Sequence, residues 1–206
     1  MERTIAIYDD FAPDPDALRA EARSVPYIRS VHNPSNLISA ASRHRHALAR
    51  RMARLTDRKV DWAWHDGAGT YRSTTEVDVR RTGNGFFAHS DGIIDHVCLL
   101  YMSPPRECHG GTTFCRHVET GLEGFHDLRA VEAVMRRLQL TFPEIVAMVE
   151  RDARVQRRWV KTTFVEMKSN RLVVYNGRLF HSHVFDYAKV KRGSRRLIYM
   201  CHGRLR

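Results

Sequence analysis

The stretch NRLVVYNGRLFHSHVF (170–185) decides how the fold is read. It holds two short β-rich runs, RLVVYNG and LFHSHVF, bounded by Asn and Gly. Six more runs of the same kind lie around it from residue 70 onward: TYRSTTEVDVR, GFFAH, HVCLLYMS, GTTFCRH, WVKTTFVEM and RRLIYMCH. Eight short strands punctuated by turn residues predict a sandwich or jelly roll.

Helical patterns lie outside and within this series. RTIAIYDDF begins with a β-like run, and PDPDALRAEARS follows, with Asp14 as the N-cap, Pro15 at the first helical position and Leu18 facing inward. The proline-punctuated VPYIRSVHNPSN reads as a loop. A second helix is predicted over 40–56, where Leu48, Met52 and Leu55 recur at i, i+4 and i+7. These two helices are expected to cover one side of a sheet. Residues 127–158 form a helical insertion broken at Pro143. No repeat or low-complexity linker appears. The expectation is a single α+β, mainly β domain over 1–206: an N-terminal strand and supporting helices in 1–65, then a jelly-roll core in 66–206.

Composition narrows the class. The chain has 206 residues, 43% of them hydrophobic, enough for a sizeable core. No apolar run approaches the roughly 18 residues of a membrane helix, and the N-terminus turns acidic where a signal peptide stays apolar. A soluble, cytoplasmic protein with no membrane partner is expected. Cys98, Cys108, Cys115 and Cys201 are scattered without a C-x-x-C pair and read as reduced packing thiols. The formal charge of +11 comes from 29 Arg and 5 Lys against 23 acidic residues, which makes a field that attracts anions. No helix-turn-helix, zinc-finger or RNA-recognition signature accompanies the charge, so the dense runs at 42–59 and 189–196 read as solvated faces rather than a nucleic-acid surface.

His89 and Asp91 in GNGFFAHSDGIIDHV (83–97) form a His-x-Asp triplet. With 12 His and 13 Asp, roughly one such triplet is expected by chance, so spacing alone carries little. Context adds to it. A jelly roll with His-x-Asp at the end of one strand and a further His near the end of a late strand can present a 2-His-1-carboxylate face to iron, leaving three positions open. His181 and His183 both supply a late histidine, and their shared strand parity does not choose between them. Arg195 and Arg196 head the following strand on opposite faces, and apolar residues follow on both. A buried arginine there could hold a carboxylate through two parallel bonds.

With AHSDG, LLYMSPP, GGTTFCRHVETGLE, NRLVVYNGRLFHS and RRLIYM, the chain over about 70–203 resembles the iron(II)/2-oxoglutarate-dependent oxygenases, on their prolyl-hydroxylase-like branch. The resemblance implies a double-stranded β-helix. It also implies Fe(II) held by His89, Asp91 and His181, the last favoured by GRLFHS. The far carboxylate of 2-oxoglutarate is then anchored by Arg196, favoured by RLIYM, with Tyr101 assisting. The implied cosubstrates are 2-oxoglutarate and molecular oxygen, and the products include succinate and carbon dioxide. Related halogenases lack the carboxylate, so Asp91 favours hydroxylation, desaturation or oxidative cleavage.

The substrate is less legible. The basic balance suits an amino acid, a peptide or another small carboxylate-bearing metabolite of a biosynthetic pathway. The helical insertion and the RECHGG loop are candidates for a lid. Two alternatives stand beside this reading: a nucleic-acid-directed oxygenase, and a non-enzymatic jelly-roll module for an acidic partner. His96 and His109 read as turn or surface residues, ECHGG as a hairpin connection, and Trp62, Trp64 and Tyr71 as core packing.

Overall fold

A computed structural model of the protein describes residues 5–29, 37–56, 60–62, 69–75, 77–78, 86–92, 94–184 and 195–205. The strands are β1 (Ile5–Tyr8), β2 (Tyr27–Arg29), β3 (Leu37–Ala41), β4 (Val60–Asp61), β5 (Thr70–Thr75), β6 (His96–Tyr101), β7 (Gly111–His117), β8 (Trp159–Glu166), β9 (Leu172–Asn176), β10 (His181–Val184) and β11 (Arg195–Leu205). The helices are α1 (Pro15–Ser24), α2 (Arg45–Leu55), α3 (Leu128–Leu138) and α4 (Phe142–Asp152). The larger antiparallel sheet runs β1-β9-β6-β11-β5-β3-β2, with β4 also paired to β11, and the smaller runs β10-β7-β8.

Three apolar layers set the order of packing. Alternation along β6 sends Cys98 and Leu100 to one face, where they meet Leu18 and Ala22 of α1 and Leu48 and Met52 of α2. Val97, Leu99 and Tyr101 point the other way, toward Phe114 and Val165 of the smaller sheet. On that sheet's outer side, Cys115, Trp159 and Phe180 pack against Val131 and Val134 of α3 and Ile145 and Val149 of α4. This is the double-stranded β-helix between two helical layers, as the strand pattern predicts.

Local signals explain the helix limits. Asp14 Oδ1 accepts from Ala17 N at 2.9 Å, and Pro15 begins α1 where a missing N–H costs nothing. Asp127 caps α3 through Arg129 N and Ala130 N. Thr141 and Glu144 form a capping box over α4, with Pro143 in its first turn. Pro143 thus divides the insertion by starting its second helix.

Several expectations are corrected. Residues 40–41 belong to strand β3, and α2 begins at Arg45, because Ser42 turns the chain to bond Glu21 Oε2 at 2.9 Å. Leu55, in the last turn of α2, is 42% exposed instead of buried. Part of the expected loop at VPYIRSVHNPSN is β2, which the aromatic and β-branched Tyr27 and Ile28 favour and which pairs with β3. GFFAH forms no strand among its described residues: it makes a single bridge, from His89 to His181, before the chain turns at Gly92 with φ 65°. ECHGG is no hairpin. It carries the chain from β6 in the larger sheet to β7 in the smaller one. Trp62 and Tyr71 are buried core residues, whereas Trp64 lies outside the described residues. His96 is half-buried at the start of β6 against Trp62.

All four cysteines are free. No helix among the described residues is long and apolar enough to cross a membrane.

Candidate active site

The turn between β9 and β10 builds one side of the site. Asn176 Oδ1 accepts from Arg178 N at 2.9 Å, closing an Asx turn. A Cβ at Gly177 would lie 2.5 Å from the Ile94 carbonyl oxygen, so the chain passes here only as glycine. That close passage lets Asp91 N donate to Gly177 O at 2.7 Å. Two residues back, His89 N donates to His181 O at 3.0 Å and His181 N returns a bond to His89 O at 2.9 Å. These backbone bonds bring the triplet, far away in sequence, alongside the late histidine.

The side chains then converge. His89 Nδ1 lies 2.9 Å from Phe87 O, and His181 Nδ1 lies 2.9 Å from Leu179 O. A carbonyl only accepts, so each Nδ1 carries the proton and each Nε2 presents a lone pair. His181 Nε2 is 3.5 Å from Asp91 Oδ2, and His89 Nε2 is 3.9 Å from Asp91 Oδ1. One ligand atom from each of the three residues falls within a 4.8 Å cluster. Right-angle ligands about 2.1 Å from a cation stand roughly 3 Å apart, so small side-chain movements close the set.

The electrostatics favour a cation. Asp91 Oδ2 is buried without a hydrogen-bond partner, an arrangement that costs about 1–3 kcal/mol or more if nothing offsets it. Burial pushes His181 down to about 4, with help from His89 and partial opposition from Asp91, so its imidazole is neutral near pH 7. Two imidazoles with pinned outer nitrogens and one carboxylate fit a divalent transition metal. Tyr175 OH donates to His181 Nε2 at 3.2 Å.

These residues line a cavity of about 480 Å³, within the roughly 300–1,000 Å³ typical of small-molecule sites. Arg196 enters its wall from β11. It is 6% exposed, and its Nε and Nη2 have no hydrogen-bond partner. Its guanidinium carbon lies 5.6 Å from the Tyr101 ring centroid. Arg195 is exposed on the opposite face and borders a different hollow with Arg23 and Glu107. Tyr101 is fully buried behind the wall, where its hydroxyl meets Thr112 Oγ1 at 2.8 Å. It supports Arg196 and Thr112 and does not border the open space.

His183 lines the same cavity but falls outside the cluster with Asp91. Burial, with Arg196 next, pushes it down to about 3. The insertion is no lid. Its apolar faces are spent on the smaller sheet, and none of its residues lines the cavity. Nor does Arg106–Gly111 border that space.

Sequence reading missed Arg72, Tyr175 and His117. Arg72 and Tyr175 line the cavity, but their strands are buried on both faces and show no alternation that marks an inward side. His117 is fully buried, bonded to Thr120 Oγ1 at 3.1 Å and Asp152 Oδ2 at 3.2 Å, and pins β7 to α4. Asp152 lies 35 residues away, so no local motif announces that pair.

The fold has solved counterparts. The non-heme alpha ketoglutarate dependent epimerase SnoN from nogalamycin biosynthesis superposes with a TM-score of 0.57 at 12% identity, over 98% of this chain and 76% of that one. HygX from Streptomyces hygroscopicus, with nickel, 2-oxoglutarate and hygromycin B bound, gives a TM-score of 0.55 at 12% identity, over 98% of this chain and 82% of that one. At such identity the likeness is one of fold. No curated protein matches the chain in sequence. A family model described as a family of unknown function (DUF6445) matches residues 87–197, which run from the His-x-Asp segment through His181 to Arg196. That match covers more than half of the sequence, and the chain belongs to the DUF6445 family.

Proposed function

We propose that the protein is an Fe(II)/2-oxoglutarate-dependent oxygenase that hydroxylates an amino acid, a peptide or another small carboxylate-bearing metabolite in a biosynthetic pathway. One observation carries this reading. Two histidines with carbonyl-pinned Nδ1 atoms and a buried, unpartnered carboxylate oxygen converge on a cavity that also holds a buried arginine with two unpartnered donors. SnoN and HygX lend support, being a ketoglutarate-dependent enzyme and a protein holding nickel, 2-oxoglutarate and hygromycin B on the same fold.

In this reading His89, Asp91 and His181 would hold the metal from one side and leave the cavity side open. Bound there, iron(II) and 2-oxoglutarate supply the oxidising chemistry: oxygen is consumed, 2-oxoglutarate becomes succinate and carbon dioxide, and one oxygen atom enters a substrate C–H bond. Phe87 O and Leu179 O fix the tautomers that keep both Nε2 lone pairs available. Arg196 would receive the far carboxylate of 2-oxoglutarate through its two unpaired donors, held in place by Tyr101. Ile198, Leu99 and Met200 keep the cavity wall apolar and strengthen those charge pairs. The free cysteines suit a reducing, cytoplasmic setting.

An anaerobic titration with Fe(II) and then 2-oxoglutarate tests the reading through the weak visible charge-transfer band of the chelate, followed by succinate release on admitting oxygen. A protein that retains no iron and turns over no 2-oxoglutarate would be the non-enzymatic binding module instead.

A further inference from the structure

The cavity holds a second arginine that the oxygenase reading leaves unused. Arg72 sits in β5, opposite Ile198 of β11 on one side and Ile38 of β3 on the other. It lines the cavity together with His89, Asp91 and Arg196. Its Nε is buried without a hydrogen-bond partner, and it forms no ion pair with any described carboxylate. An arginine keeps its charge in such a place, and a largely enclosed charge that meets no described carboxylate is costly unless something arrives to meet it.

We propose that Arg72 is the anchor for the organic substrate, and that it selects a molecule carrying a carboxylate close to the carbon that is oxidised. The proposal rests on the oxygenase reading, and charge balance gives its direction. Within that reading the two positive charges of the metal and the one on Arg196 are matched by Asp91 and the two carboxylates of 2-oxoglutarate. Arg72 then remains as the one uncompensated charge among these groups, and a substrate carboxylate neutralises it.

Position separates the two arginines. Arg196 pairs across the strands with Thr74, one inward-facing row away from the Ile198–Arg72 pair. Two residues along a strand and one strand across amount to roughly 8 Å between the Cα atoms, so each guanidinium can serve its own carboxylate. The row of His202 on β11 continues through Val97 of β6 to Tyr175 of β9, whose hydroxyl bonds His181. Ile198, opposite Arg72, lies one inward row nearer to that row than Arg196, which lies over Tyr101. Arg72 therefore belongs to the metal end of the cavity, where an oxidised carbon would have to lie. The planar guanidinium fork favours a carboxylate over an amide of the same shape.

The test uses the full chain loaded with redox-silent Zn(II) and 2-oxoglutarate, titrated with the twenty common amino acids and their primary amides, with binding read by ligand-detected NMR. At least one acid should bind, about tenfold or more tighter than its amide. Arg72→Gln should lower that acid's affinity to the level of the amide, while Zn(II) and 2-oxoglutarate affinities stay within about threefold of the wild type. Arg72→Lys, which keeps the charge and loses the fork, should recover part of the loss. The proposal is overturned if no acid is preferred to its amide. Loss of 2-oxoglutarate in Arg72→Gln would make Arg72 a cosubstrate anchor, and loss of Zn(II) a support for Asp91; either also overturns it. Failure of the wild type to take up Zn(II) and 2-oxoglutarate would remove the oxygenase reading itself, and this one with it.

Discussion

Replacing Arg196 by glutamine separates a cosubstrate anchor from a structural residue. Arg196 is 6% exposed, and Nε and Nη2 point at no acceptor. A carboxylate meeting those two donors would gain two charge-assisted bonds, each worth about 1.5–3 kcal/mol. Allowing for the desolvation of both charges, the net loss in Arg196→Gln is about 3 kcal/mol, or roughly a hundredfold in affinity. Calorimetric titration of the Zn(II)-loaded protein with 2-oxoglutarate measures it directly. The variant should bind 2-oxoglutarate about a hundredfold more weakly and Zn(II) as tightly as the wild type. Its thermal midpoint without ligand should be unchanged or higher, because a neutral amide replaces a buried charge that has no counterion among the described residues. Arg195→Gln, on the exposed face, should change none of these quantities. Unaltered 2-oxoglutarate binding in Arg196→Gln, or a comparable loss in Arg195→Gln, would refute the reasoning.

The other expectations are as direct. His89→Ala, Asp91→Ala and His181→Ala should each abolish Fe(II) retention with the far-ultraviolet circular dichroism intact, while His183→Ala retains the metal; the reverse for His181 and His183 would exchange their roles. Glu21→Ala should destabilise the protein by about 3 kcal/mol in urea unfolding, since Glu21 accepts from Tyr71 OH at 2.6 Å, Ser42 Oγ at 2.9 Å and Arg43 N at 2.9 Å. Metal-free protein should lose stability as pH falls from about 6.5 toward 5. His181 and His183, held down to about 4 and about 3, stay unprotonated in the fold while the unfolded chain takes up protons. Each histidine then contributes a slope of about 1.4 kcal/mol per pH unit, and a flat urea midpoint across that window would contradict it.

Much of the scaffold could be read locally. Asp14 and Pro15 start α1 through bonds within one turn, and Pro143 divides the insertion for a reason internal to the backbone. Amphipathic spacing shows that Leu48 and Met52 face inward but not what they face. For the same reason the helical insertion resembled a lid when its apolar side is in fact the outer cover of the smaller sheet.

The sequence by itself determined most of the strand series, the starts of α1 and α4, and the presence of His-x-Asp, a late histidine and a strand-heading arginine. Tertiary structure decided which of these meet. The His89–His181 bridge and the close passage at Gly177 put His181, rather than His183, against Asp91. Arg195 and Arg196 were equivalent in sequence because β11 is covered on both faces: Leu197 and Tyr199 pack toward the helices while Ile198 and Met200 face the smaller sheet. A strand with two buried faces carries no polar alternation, so its inward side is fixed only by the layers that close on it. Arg72 was hidden for the same physical reason, since only the pairing of β5 with β11 brings its guanidinium into the cavity beside Asp91.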